Sequence, residues 1–224
     1  MPTHTSRCFA LIPAAGKGSR VGAGRPKQYE QVAGRCVIDW TLDAFRACES
    51  IVATYVVLAP DDQSFTFHAR NVVPLHVGGV SRRDSVLAGL NAIASDVKPD
   101  DWILVHDAAR PGLTVDLLSR LIGELIDDAV GGLLAVPVPD TVKRMNDQRR
   151  VHETVPRDGL WLAQTPQMFR YELLKRALDA LPNATDEASA VEALGLAPKL
   201  VQGSARNSKI TYREDLELAA HWLL

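Results

Sequence analysis

The chain has 224 residues, 46% hydrophobic and 23% charged, and its 25 Lys and Arg against 27 Asp and Glu leave a net charge of −2. This composition excludes a disordered or collagen-like chain, and the balance of charge argues against a duplex-binding protein, which needs a strong basic excess. The length suits one large domain or two small ones, and with no interdomain linker evident we expect one, over 1–224.

In chain order, strand-like and helix-like segments alternate. Cys8 to Pro13 is a short apolar run that reads as a buried strand rather than a signal-peptide core, and it ends in Pro-Ala-Ala-Gly. Ile38, Thr41, Leu42, Phe45 and Cys48 recur at helical spacing. Ile51–Ala59 is β-branched and nearly continuous, which suits a strand buried on both faces. A helix is expected over Asp84–Ser95, with Val86, Leu87, Leu90 and Ile93 on one face, then a strand at Trp102–Val105, a helix at Val115–Ile126 and a strand at Gly132–Val138. Such alternation implies an α/β fold: a mostly parallel, Rossmann-like sheet with helices on both faces.

After Val138 the rhythm breaks. Asp140–Asp158 is polar and strongly charged, with a turn-like middle at Asn146-Asp147 and alternating flanks, and it reads as a β-hairpin arm. A lone two-stranded hairpin is barely stable in water, so this one must lean on something. The α/β rhythm then resumes with a strand at Leu160–Gln164, helices at Tyr171–Leu181 and Asp186–Leu194, and a short strand at Lys199–Val201. The acids of Thr185-Asp186-Glu187 suit the positive end of the second helix. A last helix starts behind the capping-box pattern Thr211-Tyr212-Arg213-Glu214.

No stretch approaches the ~18 apolar residues of a membrane span. Cys8, Cys36 and Cys48 stand far apart without a C-x-x-C, so neither a disulfide framework nor a zinc site is expected, and a reducing cytoplasm fits best.

The chemistry gathers at strand ends. Pro13-Ala14-Ala15-Gly16-Lys17-Gly18-Ser19-Arg20 follows the first strand, and its small residues let the backbone approach a ligand and form a nest for anions. It fails the Walker A pattern, and it misses the dinucleotide fingerprint because the sixth position is Val21. Its charge is distinctive: Lys17, Arg20, Arg25 and Lys27 lie between Gly16 and Gln28 with no acid among them, which suggests a polyphosphate ligand. A solvated surface loop is the alternative. Gly78-Gly79 to Ser85 follows another strand and opens a helix, which permits close approach to a flat base or marks a plain capped turn. His106-Asp107-Ala108-Ala109-Arg110-Pro111 ends the strand WILV, where the acid can hold a sugar hydroxyl or Mg²⁺, cap a helix or pair with Arg110. His106 reads as a hydrogen-bonded, partly buried histidine rather than a catalyst.

Taken together these strings carry a resemblance. Pro13-Ala14-Ala15-Gly16…Arg20, Pro26-Lys27-Gln28-Tyr29, Gly78-Gly79…Arg82…Ser85-Val86, His106 to Pro111, Asp140-Thr141-Val142-Lys143-Arg144, Gln164-Thr165-Pro166-Gln167, Thr185-Asp186-Glu187-Ala188 and Lys209-Ile210-Thr211 occur in one order over nearly the whole chain. The chain resembles the 2-C-methyl-D-erythritol 4-phosphate cytidylyltransferase family of sugar-nucleotide-type nucleotidyltransferases. The resemblance implies that CTP and the sugar-alcohol phosphate form CDP-methylerythritol and pyrophosphate in non-mevalonate isoprenoid biosynthesis. It implies that Arg20 and Lys27 stabilise the transition state, and that Pro13, Ala14, Ala15 and Gly16 cradle the nucleotide. Gly79 and Ser85 would read the cytosine edge with Arg82 beside them, and Ala108 would lie by the ribose. Arg157 and Lys209 would position the acceptor phosphate, helped by Thr141 and Thr165, with Asp107 on an acceptor hydroxyl and Arg110 nearby. No protein metal ligand is expected, because Mg²⁺ would sit on the CTP phosphates with water. The hairpin would lie on the other subunit of a two-fold dimer, and no nucleic-acid or membrane partner is expected. A ribitol 5-phosphate cytidylyltransferase shares the scaffold but usually differs within the H-D-A-x-R-P run and lacks D-T-V-K-R. A regulator that has lost catalysis fits poorly with the retained Arg20, Lys27, Arg157 and Lys209.

Overall fold

In the computed structural model, which describes residues 6–16 and 25–223, the first apolar run forms β1 (Cys8–Pro13). A 3-10 turn at Lys27–Tyr29 leads into β2 (Gln31–Val32) and β3 (Arg35–Cys36), then α1 (Val37–Ala47), β4 (Ile51–Val57), β5 (Val72–Leu75), α2 (Arg82–Ala92) and β6 (Trp102–Val105). There follow α3 (Val115–Leu125), β7 (Gly131–Pro137), β8 (Val142–Met145), β9 (Val151–Val155), β10 (Trp161–Arg170), α4 (Tyr171–Ala180), α5 (Glu187–Glu192), β11 (Lys199–Gln202) and α6 (Arg213–Leu223).

Seven strands form one sheet in the order β11-β7-β10-β6-β1-β4-β5, and only β10 runs antiparallel to its neighbours. The period-2 alternation of strands splits the core into two layers. Cys8, Ala10 and Ile12 of β1 point into one layer with Ile38, Leu42 and Phe45 of α1 and Leu118, Leu121 and Leu125 of α3. Phe9 and Leu11 point into the other, with Val86 and Leu90 of α2, Leu174 and Leu178 of α4 and Val191 of α5. Helices therefore cover both faces of a mostly parallel sheet, as the alternation of elements predicts. A smaller cluster of Val32, Val37, Ala109, Ile210 and Ala219 docks α6 beside β2.

Four local expectations need correction. The helix expected from Asp84 begins at Arg82, because Ser81 caps it: the Ser81 hydroxyl accepts from the Asp84 N–H, and the Asp84 carboxylate accepts from the Ser81 N–H. The strand expected to end at Gln164 runs on to Arg170 through Pro166. Proline is tolerated there because the ladder with β7 shifts register between Ala163 and Gln167, so no paired N–H is lost. The last helix starts at Arg213, and the acid that reaches back is Asp215, not Glu214; its carboxylate accepts from the N–H groups of Thr211 and Tyr212. The small hairpin of β2 and β3 has no place in the sequence reading; Ala33 and Gly34 both take positive φ, as a tight two-residue turn requires.

The hairpin arm is present: β8 and β9 pair antiparallel, with Val142 opposite Val155 and Arg144 opposite Glu153. Its root is closed by backbone bonds from Leu160 N–H to the Arg157 carbonyl and from Val138 N–H to the Leu160 carbonyl.

His106 sits where β6 leaves the sheet, and it is fully buried rather than partly so. Asp107 N–H donates to Thr165 Oγ1 at 3.0 Å, and the same hydroxyl lies 3.0 Å from His106 Nδ1. His106 Nε2 lies 3.3 Å from the Arg110 carbonyl, which can only accept. One tautomer satisfies all three contacts, with the proton on Nε2 and Thr165 donating to Nδ1. Burial drives the imidazole down from its ordinary 6.5 to about 3. The unfolded chain takes up this proton first, so stability falls with decreasing pH between 6.5 and 3. Denaturant titrations from pH 6.5 to 4 should show wild type losing up to ~1.4 kcal/mol per unit more than His106→Gln. Parallel curves for the two proteins would show that His106 does not hold its neutral form against protonation.

Candidate active site

The carboxyl ends of β1, β4, β5 and β6 open into a cavity of about 580 Å³. Its walls are Pro13 to Gly16, Lys27 and Gln28, Ala59 and Pro60, Gly78 to Arg82 with Ser85, Asp107 to Ala109, and Lys209. Open α/β sheets place their ligands at this edge.

The β1 turn is held from two sides. Ala14 N–H donates to the Val57 carbonyl at 2.8 Å, and the buried Gln28 side chain donates to the Ala14 carbonyl at 2.6 Å. The N–H of Ala14 is thus engaged within the sheet, and the anion cradle expected from three successive amides is reduced to Ala15 and Gly16. Gly78 is required by packing: a Cβ there would stand 2.3 Å from Ala15 Cβ and 2.6 Å from the Leu58 carbonyl oxygen. Gly79 is equally constrained, since its Cβ would meet Asp84 Cβ at 2.5 Å. The glycine pair therefore lets the turn lie against β1 and the start of α2. Gly79 N–H donates to the buried Ser85 hydroxyl at 3.1 Å, which ties the turn to the first coil of α2.

Asp107 is the only carboxylate among the described residues lining the cavity, and three cations hold it. Arg82 Nε donates to its Oδ1 at 2.9 Å; Lys209 Nζ and Arg110 Nε approach its Oδ2 at 2.9 and 3.3 Å. Burial pushes its pKa up, but Arg82, Lys209 and Arg110 together outweigh burial and hold it far below the ordinary carboxylate value. Arg82 also pairs end-on with Glu187, at 2.6 and 3.0 Å, so its guanidinium serves two acids. Lys27 Nζ donates to the Ile210 carbonyl at 3.2 Å, and Ile210 N–H donates to the Ala109 carbonyl at 2.9 Å. The Lys209-Ile210 segment thereby joins the Lys27 turn to the turn after β6. Asn207, fully buried, anchors that segment from below: its amide donates to the Thr165 carbonyl, and its own carbonyl accepts from Arg110.

The structure thus gathers Pro13, Ala14, Ala15, Gly16, Lys27, Gly79, Arg82, Ser85, Asp107, Ala108 and Lys209 around one cavity. Arg110 and Thr165 lie behind it, gripping Asp107 and its backbone. Thr141 and Arg157 do not line it; both are exposed at the root of the arm, where Arg157 donates to the Pro139 carbonyl. Arg20 and Lys17 lie outside the described residues. Sequence reading did not single out Gln28, Glu187 or Asn207 for a role. Glu187 already had a sufficient local explanation as an acid at a helix start, and long-range partners leave no periodic signal.

The family model for IspD, 2-C-methyl-D-erythritol 4-phosphate cytidylyltransferase, matches residues 8–224. A protein of that name from Azoarcus sp. strain BH72 is 53% identical over 100% of this chain and 97% of its own length. Another from Paraburkholderia phymatum is 54% identical over 96% of this chain and 95% of its own. A crystal structure of 4-diphosphocytidyl-2C-methyl-D-erythritol synthase superposes with a TM-score of 0.87 at 40% identity, covering 98% of this chain and 99% of that one. The Francisella tularensis 2-C-methyl-D-erythritol 4-phosphate cytidylyltransferase superposes with a TM-score of 0.84 at 36% identity, over 98% of this chain and 100% of that one. With full-length agreement in sequence and in fold, the chain belongs to the 2-C-methyl-D-erythritol 4-phosphate cytidylyltransferase family.

Proposed function

We propose how this cavity performs the family's reaction. The chain is a CTP-dependent nucleotidyltransferase that joins CTP and 2-C-methyl-D-erythritol 4-phosphate to give CDP-methylerythritol and pyrophosphate, a step of non-mevalonate isoprenoid biosynthesis. An oxygen of the acceptor phosphate attacks the α-phosphorus of CTP, and the bond from that phosphorus to the bridging oxygen breaks as pyrophosphate leaves. The nucleophile needs no strong base, because the second pKa of a phosphate monoester is about 6. This agrees with a cavity that no histidine lines among the described residues; His106, behind it, is buried and engaged through both nitrogens. The task left to the protein is to bring two polyanions together and stabilise charge at phosphorus.

The observation that carries the assignment is the convergence of Lys27 and Lys209 on one cavity floored by the β1 turn. Lys27, with Arg20, stabilises the transition state on the triphosphate. The N–H groups of Ala15 and Gly16 take the phosphates with Pro13 shaping the turn, while Gly79 and Ser85 read the cytosine and Ala108 meets the ribose. The Arg82 side chain lines the cavity beside Gly79 and Ser85, but it is paired to Asp107 and Glu187 and so orients Asp107 rather than carrying phosphate. Lys209 holds the acceptor phosphate, and Asp107, steadied by Arg110 and Thr165, accepts from an acceptor hydroxyl. Among the described residues no group of His, Cys, Asp and Glu is suited to hold a metal, and Asp107 is already shared by three cations. Such a lining fits a Mg²⁺ ion that would be carried on the nucleotide's own oxygens, where it would supply neutralisation of phosphate charge. None of the described helices is long and apolar enough to cross a membrane, all three cysteines are unpaired thiols, and we place the enzyme in the cytoplasm.

Thr141 and Arg157 do not line the cavity of their own chain, which favours an arm that lies on a second copy. The arm exposes Met145 and Val151 with no core of its own, so we propose a two-fold homodimer in which each arm completes the partner's pocket. Lys27→Ala should lower turnover by ~10²-fold or more while leaving thermal unfolding unchanged, as for other lost electrostatic stabilisers. Normal turnover, or an unfolded variant, would remove Lys27 from the chemistry. The arm is tested by complementation. Lys27→Ala and Arg157→Ala, refolded together, form mixed dimers with one pocket missing both residues and one missing neither. About half the dimers are mixed, so activity should return to roughly a quarter of wild type. A mixture as inactive as its parents would put Arg157 in its own chain's pocket.

A further inference from the structure

Glu187 is fully buried, yet it does not line the cavity. It is the first residue of α5, and β10 fixes its backbone from both sides. Gln167 Nε2 donates to the Asp186 carboxylate at 2.9 Å, and Gln167 Oε1 accepts from Ala188 N–H at 2.7 Å. The Glu187 carboxylate grips Arg82 end-on through Nη1 and Nη2. A planar guanidinium held by both terminal nitrogens has its third edge set, and here Nε then points at Asp107 Oδ1, 2.9 Å away. The three carboxylate contacts are divided accordingly: Oδ1 belongs to Arg82, while Oδ2 faces Lys209 and Arg110.

We propose that Glu187 is a positioning residue for the acceptor half of the site: by holding Arg82 end-on it sets the rotation of the Asp107 carboxylate that the acceptor hydroxyl meets. The proposal rests on the assignment of Asp107 to the acceptor made above. Arg82, Arg110 and Lys209 converge on Asp107, and Glu187 supplies the second acid of that group. Without its charge, Arg82 keeps one anionic partner and draws on Asp107 alone, turning the carboxylate away from Lys209 and from the acceptor. The CTP side of the cavity is held by bonds in which neither the Arg82 side chain nor Glu187 takes part, from Gly79 N–H to the Ser85 hydroxyl and from Gln28 to the Ala14 carbonyl.

The experiment measures KM for each substrate separately in the full-length enzyme. Glu187→Gln keeps the shape and one acceptor oxygen, but it removes the charge and sets an amide N–H₂ where the second carboxylate oxygen accepts from Arg82. It should raise KM for 2-C-methyl-D-erythritol 4-phosphate by about tenfold or more, as a displaced contact does, and change KM for CTP by less than about twofold. A merely structural role would reduce the folded fraction, lowering apparent kcat and leaving both KM values in place; that result overturns the proposal. Glu187→Gln added to Arg82→Gln should raise the acceptor KM no further, since Glu187 acts only through Arg82; a further rise also overturns it. This comparison stands even if the single variant folds poorly, because the double variant removes both charges of the pair. Asp107→Asn separates the two levels. If it raises the acceptor KM while Glu187→Gln does not, positioning by Glu187 is wrong and the acceptor assignment stands. If Asp107→Asn leaves that KM unchanged, the acceptor assignment fails and takes the proposal with it.

Discussion

A carboxylate as buried as Asp107 is tolerable only if its charge is matched, since an uncompensated ion in that position costs several kcal/mol. The match here comes from three places in the chain: Arg82 at the start of α2, Arg110 in the turn after β6, and Lys209 ahead of α6. Satisfying one anion therefore pulls together elements separated by more than a hundred residues of sequence. The pocket is largely the space that this convergence encloses. The backbone beneath is fixed by the same economy of polar groups, since the Asp107 N–H, Thr165 hydroxyl, His106 ring and Arg110 carbonyl form one continuous chain of hydrogen bonds. Such a chain is stable when every member is paired.

The charge of the floor matches what the reaction demands. Arg82, Arg110, Lys209 and Lys27 surround the cavity and its back wall, with Asp107 and Glu187 among them. A fully neutralised floor would have no attraction for a triphosphate and a phosphate monoester, and an unmitigated cluster of cations would repel itself in the empty enzyme. Two acids among four cations lie between those limits. Lys209 rests on Asp107, and Lys27 on a backbone carbonyl, so each ammonium is already desolvated on one side and aimed before a ligand arrives. Preorganisation of this kind is what makes electrostatic stabilisation effective in a water-poor site.

Much of the fold could be read from period and punctuation. The apolar runs of β1 and β6 become buried strands, β4 is buried on both faces only from Thr54 on, with Val52 exposed, and the helical spacing of Ile38, Thr41, Leu42 and Phe45 becomes the buried face of α1. What failed was local. Pro166 reads as a strand terminator, and only the register shift with β7 explains why β10 passes through it. Ser81 and Asp215 are caps whose partners lie four residues away or less, yet the sequence pattern points to Asp84 as the helix start and to Glu214 as the acid. The site was legible as strings of residues at strand ends, without their partners. No pattern in the sequence says that the Ala14 amide is taken by Val57, or that Gln28 and Asn207 face inward to hold turns. Those facts depend on which turns face each other, and that is decided only when the sheet closes.

The arm shows how far a rigid sheet can reach. β7 and β10 stay paired beyond the body of the sheet, with Ala135, Val136 and Pro137 opposite Ala163, Leu162 and Trp161. Trp161 and Leu162 are exposed there, and so are Met145 and Val151 further out. An apolar ladder left in water is a liability that soluble proteins rarely keep without a use. The root bonds at Val138, Arg157 and Leu160 fix the angle at which the hairpin leaves the sheet. Arg157 therefore stands at the bonded root of the arm, outside the lining of its own cavity. In the two-fold dimer proposed above, the contact that would cover these exposed apolar residues would also deliver one cation to the neighbouring pocket. Stability of the arm and completion of the site then depend on a single interface, and a folded monomer would hold Lys27 and Lys209 in place while lacking the contact that positions the second anion.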